Sequence, residues 1–119
     1  MQAAVLFGKG DIRCIERPVP QPREGEVLIR VCACGICGSD VPRVNEGTAH
    51  SFPLILGHEF SGVVAEVGGG VTRVAIGDHV TGAGLVPCMC CPDCDSGNYA
   101  QCKRYSFIGI WTDGAFADY

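Results

Sequence analysis

The chain has 119 residues, and its nine basic and thirteen acidic side chains give a formal net charge of −4 and an isoelectric point near 5.2. This length suits one domain with its own core, and the acidic balance offers no basic surface for nucleic acid or an anionic membrane. The first residues lack the pattern of a secretory leader, and no apolar run reaches the roughly 18 residues of a membrane span. We therefore expect a cytoplasmic protein.

Short apolar segments separated by 17 glycines and 7 prolines predict a mainly β fold, because such spacing suits strands joined by turns. In chain order, we expect strands at 1–7 and 12–16, which form a hairpin, and then at 26–34, 59–67 and 78–82. Only short helices are expected, at 39–45 and 93–99. Residues 114–119 have the pattern of the start of a further strand, so we expect the chain to be part of a longer one.

Nine cysteines are a high number for this length. In a reducing compartment, clustered cysteines are metal ligands or reactive thiols more often than disulfides. The segment 87–103 contains the spacing C-x2-C-x2-C-x7-C, formed by Cys88, Cys91, Cys94 and Cys102. A tight turn aims such thiolates at one ion, and four of them complete the tetrahedral shell of a structural zinc ion.

Two other interpretations of this cysteine lobe, residues 87–103, stay open at this point. Disulfides are one, and an iron–sulfur cluster is the other, although the ferredoxin run continues C-x3-C-P whereas seven residues precede the last cysteine here. Cys90 lies in the same lobe, but its use would place two ligands adjacent or one residue apart. We therefore predict that Cys90 is a free thiol.

A second group of metal-binding residue types lies upstream, where Cys37 sits in the string GICGSD and His58 and Glu59 sit in PLILGHEFSG. Thiolate, imidazole and carboxylate are the donors of catalytic zinc sites, in which three protein ligands leave one position open. Spacing alone indicates such a site only weakly, since a lone histidine near a strand is more often a structural residue.

These two strings, followed by the cysteine lobe, resemble the N-terminal domain of the zinc-dependent medium-chain alcohol and polyol dehydrogenases over nearly the whole chain. The resemblance implies a GroES-like, partly open β-barrel with short helices and a zinc-binding lobe, spanning 1–119. It also implies two zinc ions per chain. Cys37, His58 and Glu59 would hold a catalytic zinc ion, and the four lobe cysteines a structural one.

One geometric condition attaches to the catalytic site. Neighbouring residues on a regular strand point to opposite faces of the sheet. His58 and Glu59 can therefore share one ion only if the backbone departs from a regular strand, and we expect Gly57 to ease that departure.

The resemblance assigns further roles to two residues that follow Cys37. Ser39 would hydrogen-bond the substrate oxygen and begin a proton relay, and Asp40 would orient His58. From the residues alone, a helix N-cap and a solvated acid in the first helical turn are the alternatives. The relay histidine of other alcohol dehydrogenases is absent after Asp40. His50 is a candidate substitute, with a plain surface histidine as the alternative, and we expect His79 to be structural.

By resemblance, the parent enzyme oxidises a secondary alcohol to a ketone by zinc-assisted hydride transfer to NAD(P). The cofactor would bind a separate Rossmann domain, whose G-x-G-x-x-G turn this sequence lacks. We therefore expect a catalytic-domain fragment that is inactive alone and comes from a homo-oligomeric parent. The strings CGSDVPR, YSFIG and DGAFADY are most similar to sugar-alcohol and sugar-phosphate members, galactitol-1-phosphate dehydrogenases among them. Sorbitol and threonine dehydrogenases are near alternatives.

Two alternatives come from other functional classes. A small iron–sulfur electron carrier would use the cysteine lobe but would be coloured, whereas a zinc protein is colourless. A GroES-like assembly module would share the barrel but would have no use for either group of metal-binding residues.

Overall fold

A computed structural model describes all 119 residues, which form eight β-strands, two short α-helices and one 3-10 turn. The strands are β1 (Gln2–Gly8), β2 (Asp11–Glu16), β3 (Val27–Gly35), β4 (Leu54–Ile55), β5 (Glu59–Val67), β6 (His79–Thr81), β7 (Leu85–Val86) and β8 (Ser106–Phe107). The helices are α1 (Asp40–Asn45) and α2 (Pro92–Asp95), and the 3-10 turn spans Tyr99–Gln101. None of the helices has the length and apolar character that a membrane crossing requires.

The strands form three antiparallel sheets, in the orders β2-β1-β4, β3-β5-β6 and β7-β8. None of the three sheets closes on itself, which confirms the partly open, mainly β architecture. The five predicted strands are present to within two residues at each end. The predicted helix at 93–99 is instead split into α2 and the 3-10 turn, and the two-residue strands β4, β7 and β8 were not predicted because such short segments show no alternation.

The core lies on both sides of β1. One cluster joins Ala3 and Val5 to Ile55, and the other joins Leu6 to its neighbours on β4 and just after it. The run Leu54 to Leu56 is buried at every position, because Ile55 packs into one cluster and its two neighbours pack into the other, which leaves no solvent face. This buried run leads directly into the second group of metal-binding residues.

The last residues do not form the strand that the sequence predicts. Residues 114–118 are hydrogen-bonded along their length, but to three different segments, so no continuous ladder forms. The backbone N–H of Phe116 donates to Leu56 O at 3.0 Å, while its carbonyl accepts from Ala4 at 2.8 Å. The N–H of Val31 donates to the carbonyl of Asp118 at 2.9 Å. This segment therefore ties β1, β3 and the chain after β4 together.

The pairing of β3 with β5 is irregular at two points. One irregularity places Cys32 as an extra residue between the paired positions Val31 and Ala33. A bulge of this kind shifts the alternation of faces beyond it by one residue. Ala33 is accordingly exposed and Cys34 half-buried, whereas a regular strand would place Ala33 on the same face as Val31.

Gly62 on β5 provides a test of this close sheet packing. A Cβ added there would lie 2.3 Å from the carbonyl oxygen of Arg30 and 2.6 Å from Cγ2 of Ile29. Because a sheet carbonyl cannot rotate away, Gly62→Ala should lower the free energy of unfolding by about 1–3 kcal/mol, measured by urea denaturation. The matched control is Gly8→Ala at the end of β1, where an added Cβ meets no atom within 4 Å. Equal urea midpoints of unfolding for the two variants would contradict this packing.

Candidate metal centres

The four predicted lobe cysteines converge on one point. All four Sγ atoms lie within 4.8 Å of one another, with 3.5 Å between Cys91 and Cys94 and 4.0 Å between Cys88 and Cys94. A tetrahedral shell with Zn–S bonds of about 2.3 Å has edges of about 3.8 Å. The observed separations match such a shell and far exceed the roughly 2.05 Å of a disulfide bond. The four thiols therefore fit one tetrahedral ion with no open position.

Local backbone structure positions these thiols. Cys91 has an extended conformation just before α2, Cys94 lies within α2, and Cys102 follows the 3-10 turn. The backbone N–H of Cys90 donates to the Cys88 thiol and lowers its pKa to about 6, whereas burial raises the pKa of the Cys94 thiol. A buried thiol that resists ionisation becomes a thiolate when a cation is bound beside it.

Cys90 lies outside this convergence. Its side chain is exposed, and its Sγ lies 3.2 Å from Nη2 of Arg104. The Arg104 guanidinium also donates to the Cys90 carbonyl at 3.5 Å. This arrangement is consistent with the prediction that Cys90 is a free thiol, because its sulfur is not among the four that converge and instead contacts the Arg104 guanidinium.

The second group also comes together in the structure. Ligand atoms of Cys37, His58 and Glu59 lie within 4.8 Å of one another. Cys37 follows the end of β3, and Glu59 is the first residue of β5, where it pairs with Gly35. The pairing of these strands therefore brings together residues that lie 21 or more positions apart in the chain.

Gly57 satisfies the geometric condition on the shared site. Its φ of +97° lies in the left-handed region, so His58 stands just outside the strand that Glu59 begins. A Cβ at this position would also lie 2.8 Å from Cδ1 of Phe116 and 2.9 Å from Sγ of Cys34. Only glycine fits both the conformation and the space, and the resulting turn lets two adjacent residues face the same point.

Asp40 lies next to Cys37 and His58 and is almost fully buried, with 2% exposure. Its Oδ2 accepts a hydrogen bond of 3.0 Å from the backbone N–H of Cys37. Its Oδ1 lies 3.7 Å from Nδ1 of His58, and neither of these two buried atoms has a hydrogen-bond partner. A buried carboxylate without a cation is costly, so a metal ion held by the adjacent ligands fits the site. With Nδ1 turned toward Asp40, Nε2 is the ring nitrogen left for the metal.

The remaining predicted residues occupy different surroundings. Ser39 is the residue before α1, but its side chain makes no capping hydrogen bond, so the N-cap alternative is not what the structure shows. His50 is exposed and packs on Trp111 with 5.1 Å between ring centroids. His79 is the first residue of β6 and is also exposed. Neither of these histidines belongs to either group of converging ligands.

Two contacts of the second site were not foreseen from the sequence. The ring of Phe107 packs edge-on against His58 at a centroid distance of 5.6 Å. Nη1 of Arg43 donates to the carbonyl oxygen of Ser39. The first contact joins residues 49 positions apart and carries no sequence signal, whereas the i, i+4 spacing of the second could have suggested it.

The chain is similar to known dehydrogenases over its whole length. The chain is 42% identical to galactitol 1-phosphate 5-dehydrogenase of Escherichia coli K12 over 120 residues, which cover 100% of this chain and 35% of that protein. The crystal structure of galactitol-1-phosphate dehydrogenase from E. coli matches with a TM-score of 0.94 and 42% identity, over 99% of this chain and 34% of that one.

A cobalt- and zinc-bound thermostable alcohol dehydrogenase from Pyrobaculum aerophilum matches with a TM-score of 0.90 and 37% identity, over 99% of this chain and 37% of that one. The chain thus spans about a third of the length of these relatives. The model of the family described as "Alcohol dehydrogenase GroES-like domain" matches residues 23–119. Since this match covers most of the sequence, the chain belongs to the alcohol dehydrogenase GroES-like domain family.

Proposed function

We propose that this chain is the zinc-binding catalytic domain of an NAD(P)-dependent alcohol or polyol dehydrogenase that oxidises a secondary alcohol to a ketone. The observation that carries this proposal is the convergence of Cys37, His58 and Glu59, with buried Asp40 directly behind two of them. Such a mixed set of three ligands is typical of catalytic zinc sites, which keep a position open for substrate.

When bound there, zinc supplies Lewis acidity toward an alcohol oxygen. Asp40 fixes the orientation of the site, because it holds the backbone of Cys37 and faces Nδ1 of His58. Ser39 Oγ makes no capping bond and lies two residues beyond Cys37, which supports a role for it as the hydrogen-bond acceptor of the substrate hydroxyl. The Phe107 ring packs against His58 and limits its movement.

The cysteine lobe serves a structural role in this proposal. Four thiolates close the coordination shell, so no position remains for a substrate at that ion. In residues 87–103 only Cys94 and Cys102 are buried, so the lobe has almost no apolar core of its own. A metal ion would therefore stabilise its fold in place of a core.

The substrate class proposed is a small alcohol or polyol, with sugar-alcohol phosphates included because a 42% identical relative is a galactitol 1-phosphate 5-dehydrogenase. The nicotinamide cofactor would be held outside these 119 residues, which contain no G-x-G-x-x-G turn. We expect the chain alone to be inactive and the whole enzyme to be a cytoplasmic homo-oligomer.

Metal analysis tests the two sites separately. The chain expressed with zinc should contain about two zinc ions, and Cys37→Ser and Cys94→Ser should each lower the content to about one, measured by mass spectrometry of the metals. The Cys94→Ser variant should also lose thermal stability, because the lobe depends on its ion.

Cys90→Ser is the matched control for these variants, since it removes a lobe thiol that lies outside the converging four. It should retain about two zinc ions. Iron in place of zinc, or loss of zinc from the Cys90→Ser variant, would contradict the proposed ligand sets.

The role of Asp40 leads to a separate prediction. Asp40→Asn should weaken zinc binding at the site of Cys37 and His58 by about 10- to 100-fold, because the neutral amide orients the histidine less well. Competition with a chromophoric chelator measures this affinity. The control Glu46→Gln changes an exposed acid just after α1 and should leave the affinity unchanged. Equal zinc affinity in the Asp40→Asn variant and the unmodified chain would rule out an orienting role.

A further inference from the structure

Arg43 has unusual surroundings for an arginine of this chain. It lies in the last turn of α1, and its Nη1 donates to the carbonyl oxygen of Ser39. Its Nε is buried and has no hydrogen-bond partner. No carboxylate lies within 4.0 Å of its guanidinium, since the three ion pairs of the structure involve other residues. Most of its hydrogen-bonding capacity is therefore uncommitted.

The other half-buried arginine shows the contrast. Arg17 lies 3.7 Å from a carboxylate oxygen of Asp113, so its charge is compensated. The exposed arginines carry no desolvation cost, because water solvates them with or without an acid partner. Arg13 is paired with Asp11 at 2.7 Å, whereas Arg30 and Arg73 are unpaired. A partly desolvated cation without an acid partner is costly unless an anion compensates it. At Arg43, no protein group supplies that anion.

Arg43 also adjoins the proposed catalytic site. Ser39 immediately precedes α1 and Arg43 lies four residues later within it, and residues with this spacing share one face of a helix. Ser39 is two residues from the metal-binding Cys37, and Gly38 between them is exposed. Two acids, Asp40 and Glu46, lie three residues from Arg43. Asp40 accepts from Cys37 and faces His58, and the exposed Glu46 takes part in no ion pair.

We propose that Arg43 binds the phosphate monoester of a phosphorylated polyol substrate. This inference rests on the proposed function and narrows its substrate class to phosphorylated alcohols. The planar guanidinium presents paired N–H groups that match two phosphate oxygens, and the phosphate dianion compensates the charge that the protein leaves unpaired. The substrate hydroxyl that reacts would then lie near Ser39, and the phosphate would lie close by, at the Arg43 guanidinium that reaches back to the Ser39 carbonyl.

Nitrogen-15 NMR of the zinc-loaded chain tests the proposal, because it reports the Nε–H of individual arginines. Titration with galactitol 1-phosphate should shift the Arg43 Nε–H signal saturably, whereas galactitol should not.

Arg43→Gln should weaken binding of the phosphate compound by about 10- to 100-fold. Arg43→Lys keeps the charge but loses the planar pair of donors, so its affinity for the phosphate compound should lie between those of Arg43→Gln and the unmodified chain. Arg73→Gln, at an exposed arginine far along the chain, is the matched control and should bind normally.

The 2′-phosphate of NADP is another phosphate monoester that could bind Arg43, and adenosine 2′-monophosphate is the probe for it. The proposal predicts a weaker response of Arg43 to this probe than to galactitol 1-phosphate. A stronger response would overturn the assignment to substrate. So would the absence of any shift of the Arg43 signal up to about 20 mM galactitol 1-phosphate, a concentration that saturates a site with a Kd near 1 mM.

Zinc content measured on the same samples separates this inference from the proposed function. Two zinc ions together with no phosphate effect would overturn only the role of Arg43. A chain that binds no metal at Cys37 and His58 would overturn the proposed function itself. Circular dichroism of the Arg43→Lys variant shows whether the fold is retained, so that lost binding is not mistaken for unfolding.

Discussion

The left-handed backbone at Gly57 is the constraint that links the core to the chemistry. The residues before Gly57, Leu54 to Leu56, are buried against β1. The residues after it, His58 and Glu59, place their ligand atoms within 4.8 Å of each other. The space beside it is filled by Phe116, whose backbone bonds to Leu56 on one side and to Ala4 on the other. The position of the two ligands is therefore set by core packing and not by a flexible loop.

The two candidate metal sites differ in how the fold positions their ligand residues. The lobe gathers its four thiols from a short stretch of chain, with little buried surface around them, so a bound ion would supply the stability. The other site gathers three different donors at the junction of β3 and β5, where a sheet and a buried acid already hold them. A preformed site with an open position suits catalysis, because its ligands need not rearrange when substrate binds.

Sequence reasoning succeeded where the signal is local. The C-x2-C-x2-C-x7-C spacing predicts the lobe by itself, since 15 residues contain all four ligands. The meeting of Cys37 with His58 depends on strand pairing across 21 positions, so spacing indicates it only weakly and the family resemblance was needed. The packing of Phe107 on His58 left no periodic signal at all. The strand expected at 114–119 was wrong, because its backbone bonds are divided among three partners and no ladder is continuous.

The central claim is that one ion binds four thiolates and another binds one thiolate with nitrogen and oxygen ligands. Zinc X-ray absorption on the fully loaded chain tests it most directly, because scattering distinguishes sulfur from lighter atoms. We predict a mixed shell that averages about 2.5 sulfur atoms per zinc, with Zn–S near 2.3 Å and Zn–N or Zn–O near 2.0–2.2 Å. A shell of sulfur alone, at about four atoms per zinc, would mean that Cys37, His58 and Glu59 bind no ion and would contradict the account.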